Sequence, residues 1–186
     1  MGNRLTRITT RTGDDGSTGL ATGTRLPKDS ARIEVMGDVD ELNSVLGLVL
    51  AQNPGSPRSD WLLEIQHDLF DLGGELALPG QALMAPERVF WLEERQEEMN
   101  AVLPPLKEFI LPGGGAAATT THLARAVCRR AERHLVHLHR EEPVTEVARQ
   151  YLNRLSDFLF VLARVLARET GDGEVFWRSR RTRGVE

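Results

Sequence analysis

The sequence has few of the features that mark secreted, membrane or nucleic-acid-binding proteins. Cys128 is the only cysteine among 186 residues, so no intramolecular disulfide can form. A single thiol fits a reducing compartment. No apolar run approaches the length of a membrane span, and the first residues, MGNRLTRITTRTGDDG, lack the apolar run of a secretory signal. The formal net charge of −4 gives no reason to expect nucleic acid as a partner. We therefore expect a cytoplasmic protein that binds neither membranes nor nucleic acids.

The residues that are present form an ordinary globular composition, with 40% hydrophobic and 27% charged residues, which supports one domain with one hydrophobic core. Apolar residues recur with a helical period in five stretches separated by proline and glycine, and no alternating run typical of a strand is visible. The predicted helices span about 30–52, 57–78, 86–102, 119–140 and 144–170. The predicted fold is therefore all-α: an up-down five-helix bundle over 30–170, with an N-terminal arm (1–29) and a basic, loosely ordered tail (171–186).

The N-terminal arm has the composition of a phosphate-binding loop. Residues 10–19 read TRTGDDGSTG, in which glycines let backbone N–H groups approach a ligand and hydroxyls add donors. Lys28 follows nearby. The segment is neither a Walker A loop, because no Gly-Lys-Ser/Thr ends it, nor an EF-hand loop, because the alternating acidic ligands are missing. It is either a nucleotide-binding loop or a plain turn-rich arm.

The predicted fourth helix carries an arginine stripe. Arg125, Arg129 and Arg133 are spaced i, i+4, i+8 and therefore lie on one face, with Glu132 close by. Stacked like charges repel, so the stripe requires an anion or carboxylates, and polyphosphate matches guanidinium groups well. The alternative is a solvated charged face with local Arg–Glu pairing. Cys128, among small and apolar residues of this helix, is predicted to be structural.

The predicted fifth helix places two polar residues on one face. Asn153 and Asp157 are spaced i, i+4, away from the leucines of the buried stripe. An asparagine offers both a donor and an acceptor, which base or ribose recognition requires. The alternative is an exposed polar stripe, or an Asn–Asp pair between helices.

Two groups of residues raise the alternative of a metal site. A di-iron bundle needs two Glu-x-x-His motifs on separate helices, and Glu64–His67 supplies only one. His134, His137 and His139 cluster near the end of the fourth helix, where cations are favourable without any metal. A non-enzymatic helical interaction module would explain the helices, but it leaves the arm and the arginine stripe without a purpose.

Six segments, taken together and in order, resemble the ATP:cob(I)alamin adenosyltransferases of the propanediol-utilisation type. They read TRTGDDGSTGL, LPKD, GDVDELNSVLG, FILPGG, RAVCRRAER and YLNRLSDFLFVLAR, and they span residues 10–164. Each segment alone is a weak signal, but six in order over one small domain are specific. The sequence departs from the family at residues 21–24, where an aromatic residue and further glycines are more common.

The resemblance implies transfer of the 5′-deoxyadenosyl group of ATP to cob(I)alamin, which releases triphosphate and forms adenosylcobalamin. Cobalt(I) is the nucleophile, so no serine, cysteine or histidine triad is required. The resemblance also implies a homotrimer with ATP at subunit interfaces and Mg²⁺ on the phosphates. A reductase and an adenosylcobalamin-dependent acceptor enzyme are further expected partners.

Roles for individual residues also follow from the resemblance. The implied ATP-binding residues are Thr10, Arg11, Thr12, Gly13, Asp14, Gly16, Ser17, Thr18, Gly19, Lys28, Arg129, Arg130, Glu132, Arg133 and Asn153. Arg129 is implied in catalysis, together with Asp40 and Arg125, a pair that joins neighbouring subunits. Phe109 and Asp157 are implied corrinoid contacts, and Glu132 is the candidate Mg²⁺ ligand. On position alone, Phe109 could instead pack into the bundle core.

Overall fold

The structure is a computed structural model that describes residues 9–179. Its helices are α1 (Ala31–Gln52), α2 (Ser59–Ala77), α3 (Glu87–Asn100), α4 (Gly115–Glu141) and α5 (Glu146–Glu169). The predicted all-α fold of five helices is confirmed, and most helix ends lie within two residues of their predicted positions. Among the described residues, no helix is both long and apolar enough to cross a membrane.

Helix α4 begins at Gly115, earlier than the predicted start near residue 119. Glycine disfavours helix interiors, which is why the sequence pattern predicts the later start. Gly114 and Gly115 both adopt the left-handed conformation, with φ of 92° and 87°, and mark the boundary at which the helix begins. The alanines that follow favour the helix and extend it towards the glycines.

A short hairpin in the N-terminal arm was not predicted. Strand β1 (Ser17–Gly19) pairs antiparallel with β2 (Arg25–Pro27). Each strand has three residues and no apolar alternation, so the sequence carried no strand signal. Leu20 is buried at the end of β1, and Gly23 closes the turn with φ of 88°. The segment that departs from the family pattern, residues 21–24, therefore forms the turn of this hairpin.

The long helices pack around α4. Helix α4 lies against α1 and α5, α3 packs on α5, and α2 packs on α1. Helices α1 and α4 run antiparallel: Asp38 near the start of α1 contacts Arg130 late in α4, whereas Gln52 at the end of α1 accepts a hydrogen bond from Thr120. Their facing residues are fully buried leucines, valines and alanines, each leucine contributing roughly 1.5–3 kcal/mol.

A buried polar clamp joins three helices. The Asp68 carboxylate on α2 accepts hydrogen bonds from Arg88 Nε on α3 (2.7 and 3.0 Å) and from the Tyr151 hydroxyl on α5 (2.7 Å). Burial, together with the Asp68 charge, raises the pKa of Tyr151 well above its usual value, so the hydroxyl stays protonated and donates. The clamp fixes α3 on the bundle. It thereby also positions the α3 residues that line the groove described below.

We expect Tyr151→Phe to lower the free energy of unfolding by about 1.5–3 kcal/mol, because a buried hydrogen bond to a charged acceptor is lost while the ring still packs. Urea denaturation followed by circular dichroism measures the change. Asp68 keeps its pair with Arg88, so the variant should remain folded. An unfolding free energy equal to that of the wild type would show that the Tyr151–Asp68 hydrogen bond contributes nothing.

The C-terminal tail is not loosely ordered where the structure describes it, so that prediction is wrong for residues 171–179. Leu111 N donates to Val175 O (2.8 Å) and Trp177 N donates to Phe109 O (2.7 Å), which forms an antiparallel pair of extended segments. The Ile110–Phe176 bridge lies between them. Such a short pairing has no periodic pattern in the sequence. The basic residues at 180–183 lie outside the described part of the chain.

Candidate functional site

The arm forms a polar cavity of about 340 Å³, which we call the arm cavity. Its lining consists of Thr9, Thr10, Arg11, Thr12, Gly13, Asp14, Ser17, Thr18, Gly19, Arg25 and Lys28. Every arm residue predicted to bind ATP is present except Gly16. The lining carries three cationic side chains and one carboxylate, together with several hydroxyls. This composition suits an anion rich in oxygen atoms.

A tight turn next to the arm cavity gives it its shape. The Asp15 carboxylate accepts hydrogen bonds from the backbone N–H (2.9 Å) and the hydroxyl (2.7 Å) of Ser17. These bonds, with the nearby Arg25 charge, lower the pKa of Asp15, so it remains ionised at neutral pH. Gly16 has φ of 84°, a left-handed conformation that glycine adopts without strain. Gly16 thus supports the cavity from outside its lining.

Gly13 is required by close approach inside the arm cavity. A Cβ at this position would lie 2.9 Å from Ser17 O and 3.2 Å from Lys28 Nζ. The Lys28 ammonium group therefore lies directly over the Gly13 backbone. Arg25 was missed by the sequence analysis, yet its guanidinium donates to Thr12 O (2.5 Å) and, through Nε, to Ser17 Oγ (2.9 Å). Only the hairpin register, which was not predicted, brings Arg25 to this position.

The arginine stripe has no carboxylate partner within the described chain. Arg129 and Arg133 are exposed, and Arg133 Nη1 donates only to the backbone oxygen of Arg129 (3.0 Å). Arg125 is half-buried, and its Nε is buried without a hydrogen-bond partner. The alternative of local Arg–Glu pairing is not found, because Glu132 accepts its hydrogen bond from Asn153 instead. The stripe therefore remains available to an external anion.

Arg130 is engaged differently from the stripe. Its guanidinium donates to Asp38 (2.9 Å) and to Glu41 on α1, and the hydrogen bond to Asp38 is the main reason that its pKa is raised. His134 also contacts Asp38, at 2.5 Å. Arg130 thus joins α1 to α4 within the chain. Its predicted contact with ATP stays a prediction.

The other predicted nucleotide contacts meet between α4 and α5. Asn153 Nδ2 donates to Glu132 Oε1 (2.9 Å), and Asn153 Oδ1 accepts from Arg154 (2.6 Å). Arg154, which sequence reasoning missed, also pairs with Glu93 on α3 (2.6 Å). The described residues contain no group of three or more His, Cys, Asp or Glu side chains placed to hold a metal ion.

Cys128 is buried, and its Sγ donates to Leu152 O (3.2 Å). Burial raises the pKa of this thiol far above its usual value, which keeps it protonated and poorly nucleophilic. The predicted structural role is consistent with this environment. The reaction at the site must therefore proceed without a cysteine nucleophile.

A second and larger cavity, the bundle groove, has a volume of about 780 Å³. It is lined by Gln96, Asn100, Leu103, Pro104, Pro105, Leu106, Phe109, Arg125, Ser156, Asp157, Phe160, Val161 and Arg164. The groove brings together three predicted residues, Phe109, Arg125 and Asp157. Phe109 is 77% exposed, so the alternative that it packs into the core is wrong. Much of the lining is apolar, which suits a large ligand with apolar faces.

One wall of the bundle groove is formed by Arg125 and Phe160, which stack with the buried His122. The Arg125 guanidinium lies 5.7 Å from the Phe160 ring centroid, and the His122 ring meets Phe160 edge-on at 6.2 Å. Burial, and secondarily the Arg125 charge, lowers the pKa of His122, so this histidine is neutral at pH 7. The positive charge of this wall therefore comes from Arg125.

The arm cavity and the arginine stripe are not linked within the described chain. No hydrogen bond or ion pair among residues 9–179 joins the arm to Arg125, Arg129 or Arg133. The arm is attached instead to α2, where Ala21 N donates to Ala77 O (3.1 Å). Asp40 is exposed, and its carboxylate has no partner among the described residues. The described chain thus presents two separate groups of cationic side chains, one in the arm cavity and one on α4.

The chain is a helical bundle with one polar cavity that suits an oxyanion and one larger, partly apolar groove. Residues 8–166 match the family model of cobalamin adenosyltransferase. A cobalamin adenosyltransferase of Cupriavidus metallidurans is 56% identical over 183 residues, which cover 97% of this chain and 99% of that protein. A corrinoid adenosyltransferase of Bacillus subtilis is 46% identical, with 91% of each chain covered.

Solved structures agree with the sequence comparisons. A phenylalanine-to-alanine variant of the PduO-type ATP:corrinoid adenosyltransferase from Lactobacillus reuteri, complexed with cobalamin and ATP, superimposes with a TM-score of 0.89. It is 35% identical, and the match covers 93% of this chain and 100% of that one. The chain belongs to the cobalamin adenosyltransferase family, and its similarity is to the PduO type. This membership favours a transferase over the di-iron and interaction-module alternatives.

Proposed function

We propose that the protein transfers the 5′-deoxyadenosyl group of ATP to the cobalt of cob(I)alamin, forming adenosylcobalamin and triphosphate. The observation that carries this proposal is the arginine stripe, in which three guanidinium groups one turn apart lack carboxylate partners within the described chain. A polyphosphate satisfies such a stripe. The bundle groove beside Arg125 supplies a second site of the size and character that a corrinoid needs. The Lactobacillus reuteri relative is complexed with both cobalamin and ATP.

The proposed chemistry is a nucleophilic displacement at carbon. An electron pair of cobalt(I) forms the cobalt–carbon bond to C5′ of ATP, and the C5′–oxygen bond breaks with its electron pair leaving on triphosphate. Cobalt becomes formally cobalt(III). The cofactor-like substrate supplies the nucleophile, so the protein supplies alignment and charge.

Cationic side chains stabilise the leaving group in this scheme. Negative charge grows on the triphosphate oxygen as the bond to C5′ breaks, so donors placed there act more strongly on the transition state than on bound ATP. Arg129 and Arg133 are exposed and unpaired for this task, and Lys28 and Arg11 line the arm cavity. Glycines of the arm allow backbone N–H groups to approach the same phosphates.

Magnesium fits this site as a companion of ATP. Mg²⁺ commonly keeps several waters and takes one or two carboxylates beside phosphate oxygens. Glu132 uses Oε1 to accept from Asn153, and Oε2 makes no hydrogen bond within the described chain, so one oxygen is available. Glu132 is the residue that would hold the ion, whose charge would neutralise part of the triphosphate.

The active site is proposed to form between subunits of a homotrimer. The arm cavity and the arginine stripe are separate within one described chain, so a neighbouring subunit is needed to bring them to the same ATP. Asp40 and Arg125 support this arrangement, because both side chains lack an ion-pair partner in the described residues. An ion pair between Asp40 of one subunit and Arg125 of the next would satisfy both.

We expect Asp40→Arg and Arg125→Asp, made singly, to weaken assembly and lower activity. Each strands a partly buried charge, at a cost of roughly 3–5 kcal/mol if burial in the assembly is deep. The double exchange restores an ion pair with reversed polarity and should recover part of both properties. Light scattering and turnover measure the two effects. A double variant no better than the worse single variant would contradict the pairing.

The cellular setting is proposed from the chemistry. ATP as substrate and a single buried thiol support a cytoplasmic location. Cobalt(I) must be generated by a reductant, so a reductase is a proposed partner. Adenosylcobalamin has to reach an enzyme that uses it, so an acceptor enzyme is proposed as the second.

Product analysis separates this function from other uses of ATP. The protein is incubated with ATP, Mg²⁺ and chemically reduced cobalamin, and the phosphorus products are followed by ³¹P NMR. Adenosyl transfer releases inorganic triphosphate in proportion to the corrinoid consumed. Release of ADP and inorganic phosphate instead would indicate an ATPase and would overturn the proposal.

A further inference from the structure

The segment that carries Phe109 depends on the C-terminal end of the chain. Every described hydrogen bond that leaves residues 104–112 goes to Arg164 or to residues 175–177. Arg164 donates to Pro104 O (2.8 Å). Leu111 N donates to Val175 O (2.8 Å), and Trp177 N donates to Phe109 O (2.7 Å). The Phe109 ring also meets the Trp177 ring edge-on, with centroids 6.5 Å apart. Among the described residues, the helices hold this segment by one hydrogen bond, the one from Arg164.

A buried carboxylate anchors the C-terminal segment in turn. The Glu174 side chain is 3% exposed and accepts from Arg164 Nε (2.5 Å) and from Arg168 Nη1 (2.9 Å), both on α5. The Arg164 side chain is 5% exposed. A charge pair so deeply buried is costly to break, because removing one partner leaves the other desolvated and unpaired. Glu174 therefore fixes the position of residues 175–177 relative to α5.

The chain around this anchor is closely packed. Gly173 N donates to Ala167 O (2.9 Å), and a Cβ added to Gly114 would lie 2.3 Å from Ala167 Cβ and 3.2 Å from Gly173 O. The C-terminal segment thus follows a single path over α5 and past the start of α4. A displacement of Glu174 would therefore also displace residues 175–177, which pair with residues 109–111.

We propose that Glu174 is a positioning residue for Phe109. By holding residues 175–177 against α5, it fixes the backbone of residues 109–111 and so places an exposed aromatic ring at the mouth of the bundle groove. The same carboxylate orients Arg164, which lines the groove and supports Pro104. The consequence for corrinoid chemistry rests on the function proposed above, whereas the consequence for the backbone of residues 104–112 does not.

The test is Glu174→Gln in the full-length protein, with Glu169→Gln as the matched control. Glu169 lies near the same end of α5 and pairs with Arg58 (2.7 Å), but its side chain makes no described hydrogen bond or ion pair with residues 104–112 or 175–177. Amide hydrogen exchange of residues 104–112, measured by mass spectrometry without substrates, should become roughly tenfold faster in Glu174→Gln and stay unchanged in the control. Turnover should fall roughly tenfold with KM for ATP nearly unchanged, because the lost alignment concerns the corrinoid side.

A spectroscopic readout distinguishes positioning from general stability. An aromatic ring at the lower face of the corrinoid would displace the axial ligand and leave cobalt(II) four-coordinate. With ATP and cobalt(II)alamin, Glu174→Gln should therefore show less of this four-coordinate species than the control. Should Glu174→Gln fail to fold, Arg168→Gln removes a 46% exposed partner and should cause a smaller change of the same kind. Unchanged exchange of residues 104–112, or faster exchange with unchanged turnover and spectrum, would overturn the inference. A wild type that forms no adenosylcobalamin would instead overturn the proposed function, and the exchange result would still decide the role of Glu174.

Discussion

Arg129→Ala should lower turnover by roughly two to three orders of magnitude, the usual effect of removing one preorganised donor from a developing oxyanion. Arg129 is exposed at the centre of the arginine stripe and has no carboxylate partner in the described chain, so its removal leaves no buried charge unpaired. The loss should therefore appear in catalysis and not in the free energy of unfolding. Because the contact strengthens as the triphosphate departs, the loss should persist at saturating ATP.

Arg140→Ala provides a matched control for this experiment. Arg140 is an exposed arginine of the same helix, outside the stripe and the lining of both cavities. Its removal changes net charge equally and should leave turnover within about twofold, as is usual for surface changes away from a site. Near-normal turnover of Arg129→Ala at saturating ATP, in a folded and assembled protein, would remove Arg129 from the mechanism.

Phe109→Ala should lose most turnover while binding ATP nearly as well as the wild type. Cobalt(II) has to be reduced to cobalt(I) before it can attack carbon, and a bound lower axial ligand makes that reduction harder. An aromatic ring at the lower face excludes water and offers no strong ligand atom. Phe109 is 77% exposed at the mouth of the bundle groove, where it is free to take that position.

Spectroscopy of cobalt(II)alamin with ATP tests the role of Phe109 directly. The variant should lose the four-coordinate cobalt(II) species. Phe90→Ala, which truncates a 62% exposed phenylalanine that lines neither cavity, should retain it. A four-coordinate signal of wild-type intensity in Phe109→Ala would show that another group displaces the axial ligand.

The helices could be predicted because their leucines repeat with a helical period and proline or glycine marks their ends. Helix α5 is the clearest example, with Leu152, Leu155, Leu159 and Leu162 all fully buried. The hairpin could not be predicted in this way, because three-residue strands carry no period. Its absence from the prediction also concealed Arg25, which reaches the arm cavity only through the register of β2.

The site was predicted as separate residues, and their grouping had to come from the structure. Phe109, Arg125 and Asp157 lie in different segments, and only helix packing brings them to one groove. The arginines of α4 show the limit of spacing arguments. Arg130 pairs with two carboxylates of α1, whereas the stripe beside it has none, and a single sequence does not reveal which carboxylates of another helix lie opposite.

The Glu174 anchor was missed for a related reason. A carboxylate in a short, basic C-terminal segment gives no sign that it is buried between Arg164 and Arg168. Composition alone therefore predicts a loosely ordered tail. Its actual order depends on long-range pairing with residues 109–111, which no local pattern encodes.

Formation of the cobalt–carbon bond tests the central claim most directly. Chemically reduced cobalamin is mixed with ATP, Mg²⁺ and the protein, and the optical spectrum of the corrinoid is followed with time. The account predicts conversion of the cobalt(I) spectrum to that of adenosylcobalamin, dependent on both ATP and protein and strongly reduced in Arg129→Ala. Persistence of the cobalt(I) spectrum with folded, assembled wild-type protein and saturating ATP would contradict it.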